Sequence, residues 1–224
     1  MGRSKQEIII IMKKVLFTLF AFIALQVNAQ VANYEGEFYF TPKVGVNYSN
    51  LTNADLGLRL GFNIGMGIEG MVTDAFAIES GLYYSVQGSK GDVPYFSNTN
   101  IDENSDVIMK YNYLNIPVYA KYYLYEGFHV FAGPQLSINT LAEIKVSVPG
   151  QSETTDVDGA TRTFDVGMSG GIGYQLSTGL VISANYTYGL IGVNKHPLHL
   201  DPDNSNKGTN FHNSVVNVSL GWRF

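Results

Sequence analysis

The chain ends on His212–Phe224, HNSVVNVSLGWRF. Counting back from the end, Phe224, Trp222, Leu220, Val218 and Val216 share one parity, and Arg223, Gly221, Ser219 and Asn217 share the other. A period of two describes a strand with one greasy face and one small, polar face. Such a strand needs neighbours on both edges, and the upstream sequence supplies them.

The same alternation recurs. Leu58, Leu60, Phe62, Ile64, Met66 and Ile68 interleave with Arg59, Gly61, Asn63, Gly65, Gly67 and Glu69. A helix would scatter those apolar residues around its circumference. Parallel readings give strands over 39–50, 58–72, 76–87, 110–125, 128–144, 164–176, 180–193 and 212–224, with Ile116, Leu136 and Ile138 in the outward apolar set. Three connections are very short (73–74, 126–127, 177–179) and alternate with longer ones (51–57, 89–109, 145–162, 194–211). Short turns at one end and long loops at the other are the layout of an outer-membrane barrel. The expected fold is all-β: an eight-stranded antiparallel up-and-down transmembrane β-barrel with both chain ends on one side.

A soluble eight-stranded barrel shares this strand order, but it turns its greasy face inward and clothes the outside in charge. Here the second face is largely Gly, Ser and Asn, which suits the crowded centre of a narrow barrel. The sequence is also poor in charge, 15% against roughly 25% in an average soluble domain, and it has 24 Gly and 15 Tyr. Without cysteine it has no disulfide framework, so stability must come from pairing and burial. Near-neutral mean hydropathy excludes a bundle of membrane helices.

The N-terminus reads as an export signal: Met12-Lys13-Lys14, an apolar core from Val15 to Val27, and Val27-Asn28-Ala29 as cleavage site. Residues 1–11 read as an upstream extension, so 1–29 is expected to be removed and 30–224 to form the barrel domain. Taking Arg3, Lys5, Lys13, Lys14 and Glu7 from the 14 basic and 19 acidic residues leaves 10 and 18, a net charge of −8. That charge argues against nucleic acid as a partner.

On the inward face, Lys43, Arg59, Lys121 and Arg223 stand against Glu69, Glu79 and Asp165. Unpaired charges in a dry centre are costly, so these seven residues are expected to form a structural charge network that fills the lumen. His196, His199, Asp201 and Asp203 on the last long loop match no established metal spacing. An embedded enzyme needs a base and a nucleophile at one height. His129, Ser169 and Ser177 are the inward candidates, but His129 directly follows the 126–127 turn, on the side away from the outer leaflet. No catalytic residue, cofactor or metal ligand is assigned.

Tyr113-Leu114-Asn115-Ile116-Pro117-Val118 ahead of Lys121-Tyr122-Tyr123, and Phe131-Ala132-Gly133-Pro134, together with the Gly-rich alternating strands, resemble the PorT-like outer-membrane β-barrel family over roughly residues 39–224. The resemblance implies an outer-membrane location, lipid and lipopolysaccharide as surroundings, and Trp222 and Phe224 as a terminal signal for the barrel-assembly machinery. It implies a barrel class and no single activity. The expected role is structural or surface interaction, with loops 89–109, 145–162 and 194–211 as candidate contacts for a protein partner. An accessory of protein secretion is the alternative, and a lipid A-modifying barrel enzyme the further one.

Overall fold

The computed structural model describes residues 37–53, 56–92, 106–148, 151–195 and 210–224. The export signal, most of loop 89–109, and His196, His199, Asp201 and Asp203 lie outside them. The compact unit runs from Phe38 to Phe224. Its strands are β1 (Phe38–Thr52), β2 (Gly57–Met71), β3 (Phe76–Asp92), β4 (Asp106–Tyr125), β5 (Phe128–Val148), β6 (Gln151–Asp156), β7 (Phe164–Gln175), β8 (Leu180–Gly189) and β9 (His212–Trp222).

Every neighbouring pair is antiparallel, and β1 joins β9 (Val44 opposite Leu220) as well as β2 (Val44 opposite Ile64). With β4 paired to β5 and β5 to β7, eight strands close a ring in chain order, and β6 stands outside it. Closure removes both sheet edges, which is what allows a sheet to cross hydrocarbon with no unpaired backbone. The fifteen residues of β1, at about 3.3 Å per residue and tilted by about 45°, exceed the 9–11 or so that a crossing needs.

β6 corrects the expected polar loop over 145–162. β7 covers β5 only from Phe128 to Ile138, so the backbone of β5 beyond that point needs another partner. The chain turns back, and Gln151–Asp156 pairs with Glu143–Val148. Loop 89–109 is likewise shorter than expected, because Ser89, Lys90 and Gly91 pair with Met109, Ile108 and Val107. β8, in contrast, stops at Gly189 and not at Val193. The following residues bend inward, where Val193 N–H donates to the Phe211 carbonyl (2.7 Å) and its side chain is buried.

The short connections fall where expected. At 126–127 both residues have positive φ, 39° for Glu126 and 86° for Gly127, as a two-residue hairpin turn requires. A Cβ on Gly127 would also meet the Gln175 carbonyl oxygen at 2.0 Å.

Burial is inverted relative to a soluble protein. Leu58, Leu60 and Ile64 are 64%, 59% and 54% exposed, while Asn47 and Asn63 are 1% and 5% exposed. Tyr122, Phe164, Tyr174, Trp222 and Phe224 are also exposed, near strand ends, as interfacial aromatic girdles require. Two members of the expected outward set differ: Ile116 and Ile138 are buried. The register sets Ile138 between Leu114 and Phe164, and Ile116 opposite Leu136. Rows of bulky cross-strand neighbours shield such positions.

Candidate functional site

The inside of the ring is the only large polar surface that the described strands bury together, and it has three levels. At the short-turn level, Glu69 on β2 and Glu79 on β3 are directly opposite in register, which places two carboxylates on one inward row. Like charges so placed repel, and neighbouring strands supply the cations. Lys121 from β4 reaches both, pairing with Glu69 and lying 2.9 Å from Glu79 Oε2. Lys43 from β1 pairs with Glu79, and Arg223 Nη2 lies 2.8 Å from Glu69 Oε1.

Tyrosines complete the shell. The Tyr123 hydroxyl donates to Glu69 Oε1 at 2.7 Å and the Tyr83 hydroxyl to Glu79 Oε1 at 3.2 Å. The Arg223 guanidinium stands 3.5 Å from the Tyr39 ring centroid and donates to Gln175 Oε1 at 2.5 Å. Glu69, Glu79 and Lys121 are each under 5% exposed. In so dry a place a charge pair roughly balances its desolvation only when hydrogen bonds satisfy the remaining lone pairs, and here each carboxylate has several partners.

Five of the seven residues assigned to the lumen network thus meet in one cluster: Lys43, Glu69, Glu79, Lys121 and Arg223. Arg59 and Asp165 do not join it. Arg59 donates to the Gln87 carbonyl toward the long-loop end, and Asp165 accepts from the Ile191 N–H at 3.3 Å. The parity of the sequence sets Tyr83 and Tyr123 on the inward face, but the expected network gives no part to them or to Tyr39. Their odd positions among Gly and Asn were the available signal, because a large ring on a small-residue face must occupy the centre. Glycines make that room: a Cβ on Gly65 would lie 2.5 Å from the Tyr83 ring, and one on Gly173 2.3 Å from His129 Nε2.

His129 is 1% exposed and lies between Tyr123 and Phe131, with ring centroids at 5.0 and 6.2 Å. Its Nδ1 is 3.0 Å from the Gly127 carbonyl. Ser169 is four positions further along the β5–β7 ladder, opposite Gly133 where His129 is opposite Gly173. Its Oγ is engaged by Tyr119 (3.2 Å), Asn185 (3.1 Å) and Thr187 (2.9 Å). Ser177 is in an exposed turn. The geometry does not assemble these three into a base and nucleophile. Among the described residues no group of three or more His, Asp or Glu could hold a metal ion.

The middle level is a web of amides and hydroxyls. Asn47 Nδ2 donates to Ser85 Oγ (2.7 Å), Asn63 Nδ2 to Asn47 Oδ1 (3.0 Å), and Asn217 Nδ2 to the same oxygen (2.5 Å). It surrounds a polar cavity of about 80 Å³, room for a few waters. At the long-loop level the lining turns apolar: Leu51, Tyr111, Tyr113, Ala142, Val193 and Phe211 form a buried cluster with Met109 and Val157 packed against it. That outer cap was not foreseen, since it is built from strand ends and loop residues that break the alternation.

The strands form a closed ring of eight, apolar outside and polar inside, and the family model of the outer membrane protein beta-barrel domain matches residues 28–194. The chain belongs to that family. This outer membrane protein beta-barrel domain is similar in structure to a major outer membrane protein from Thermus thermophilus, with a TM-score of 0.51, 10% identity, and coverage of 84% of this chain and 100% of that one. It also matches Neisserial surface protein A (TM-score 0.48, 13% identity, 85% and 100% covered). A third match is Ail, the attachment invasion locus protein of Yersinia pestis (TM-score 0.44, 15% identity, 84% and 99% covered). At 10% identity the Thermus match speaks to fold alone. The search of curated proteins finds no match. The family places this outer membrane protein beta-barrel domain in the outer membrane.

Within the domain, the two segments quoted for the PorT-like resemblance lie side by side on β4 and β5. Pro117 is opposite Gln135 and Ala120 opposite Ala132, and the ladder is interrupted between them, where Pro134 has no N–H to give. A Cβ on Gly133 would meet the Val118 carbonyl oxygen at 1.9 Å. These residues set a close strand approach. Trp222 and Phe224 face outward at the short-turn end, and Phe224 N–H donates to the Phe40 carbonyl at 2.9 Å.

Proposed function

We propose that this barrel has a filled lumen and serves the outer membrane as a structural or surface-interaction protein of PorT-like type, exported with removal of residues 1–29. The observation that supports the reading is the pair of side-chain clusters inside the ring, Glu69–Glu79–Lys121 at the short-turn end and Leu51–Tyr113–Phe211 at the long-loop end. A barrel so filled offers its outside and its loops to partners and not a path through its middle. Loops carry function on rigid scaffolds, and here the candidate contacts are 89–109, 145–162 and 194–211, with β6 fully exposed within the second. Trp222 and Phe224 would be read by the assembly machinery, and lipopolysaccharide would surround the outward face.

Conductance of the purified barrel in planar bilayers tests the filled lumen. The expected record is a quiet baseline, and large, steady channels would overturn it. Mild crosslinking followed by pull-down separates a scaffold from the secretion accessory that the PorT-like resemblance suggests: recovery of secretion-machinery components would favour the accessory.

A further inference from the structure

β6 stands outside the ring with an open side. One edge pairs with Glu143–Val148 of β5, and among the described residues no strand pairs with the other. All six residues of β6 are exposed. Glu143 stands about 35 Å above Phe128 along the membrane normal, at about 3.3 Å per residue and a tilt of about 45°. The apolar band of such a barrel is about 25 Å tall, so β6 lies beyond it, in water.

The ladder decides which backbone groups the open edge presents. Val157 N–H donates to the Ala142 carbonyl at 3.0 Å, and the register continues from there through β6 without a bulge. Hydrogen-bonded pairs alternate in an antiparallel ladder, so Thr155, Glu153 and Gln151 turn their N–H and C=O groups to β5. Ser152 and Thr154 turn theirs the other way. Exposed edges are commonly blunted by proline, lysine or a bulge. Gln151–Asp156, QSETTD, has none of these, and it carries two acids and no base.

An edge of this kind is a template for an added strand, and its charge selects what adds. Glu153 falls at a non-hydrogen-bonded position of the new ladder, where facing side chains come closest. A like charge there repels and an opposite charge attracts. A second copy in the same membrane fits poorly, because β6 runs from Gln151 toward the bilayer in every copy. Two copies would meet in parallel, with Glu153 beside Glu153 about a twofold axis. We infer that the open edge of β6 takes an extended segment of another protein as an added antiparallel strand, with Lys or Arg opposite Glu153. This rests on the reading of 145–162 as a partner contact and names the mode of that contact.

The test measures binding of labelled, threonine-rich nine-residue peptides to the full barrel in lipid nanodiscs, by fluorescence anisotropy. The peptide with a central lysine should bind saturably and several-fold more tightly than the same peptide with a central glutamate, and Glu153→Lys should reverse the order. Thr154→Pro removes an N–H that faces the open edge, a place where proline leaves the β5 ladder intact. It should weaken binding about tenfold, while the gel shift between heated and unheated samples shows the barrel folded. No saturable binding, equal binding by Thr154→Pro, or an unchanged order in Glu153→Lys would overturn the inference. Barrel dimers that Thr154→Pro dissolves would overturn the occupant in favour of a second copy. A partner recovered equally by the wild-type chain and Thr154→Pro in the crosslinking pull-down would leave the surface role standing and overturn the edge.

Discussion

Glu69 and Glu79 face each other across β2 and β3 on one inward row of the barrel, and the ammonium group of Lys121 pairs with both. Two buried carboxylates at adjacent cross-strand positions can persist only while cations hold them. Lys121→Ala leaves both without their shared partner. The expected loss is about 3–5 kcal/mol, read from urea unfolding of the barrel in detergent. Adding Glu69→Gln and Glu79→Gln to Lys121→Ala should not recover it, because Lys43 and Arg223 then lose their carboxylate partners. A loss under ~1 kcal/mol, the ordinary range of a surface pair, would show that the cluster is not dry.

Gly173 and His129 form a second dependent pair. A Cβ at 173 would come within 2.3 Å of His129 Nε2, so Gly173→Ala must push the ring out of its place between Tyr123 and Phe131. Overpacking of this kind costs about 1–3 kcal/mol. In a His129→Ala background the same change should cost little, since the space is then vacant. Equal penalties in the two backgrounds would disprove the packing relation.

The outward face supplies a third prediction. Ile64 is exposed at the middle of β2 and is flanked by Val44 on β1 and Tyr84 on β3. Ile64→Arg should cost about 2–4 kcal/mol in lipid, as a charge near the bilayer midplane does. Thr154→Arg on exposed β6 should be nearly silent. Refolding equilibria in lipid vesicles, followed by the gel shift between heated and unheated samples, compare the two.

Leu58–Glu69 and Val216–Phe224 each obey a period of two, and that parity orients both strands. Connection lengths then order the strands, because only closure satisfies both edges. β6 was not legible, since Gln151–Asp156 has no apolar face and its pairing answers to the reach of β5 beyond β7. The outer cap was hidden for a related reason: Leu51, Val193 and Phe211 sit where strands end, and their burial depends on loops that bend inward. At the candidate site, parity assigned Lys43, Glu69, Glu79, Lys121 and Arg223 to the inside. Height along the barrel is a matter of register, and register separates Arg59 and Asp165 from the other five.

The central claim is that the greasy face meets lipid and the small polar face fills the centre. The absence of native cysteine allows a single nitroxide label at Ile64→Cys or at Ser85→Cys with no background substitution. In lipid vesicles the label at 64 should collide freely with dissolved oxygen and hardly at all with a water-soluble nickel chelate, and the label at 85, on the lumen side, should be shielded from oxygen in the lipid phase. A label at 64 that met the nickel chelate and was protected from oxygen would contradict the account.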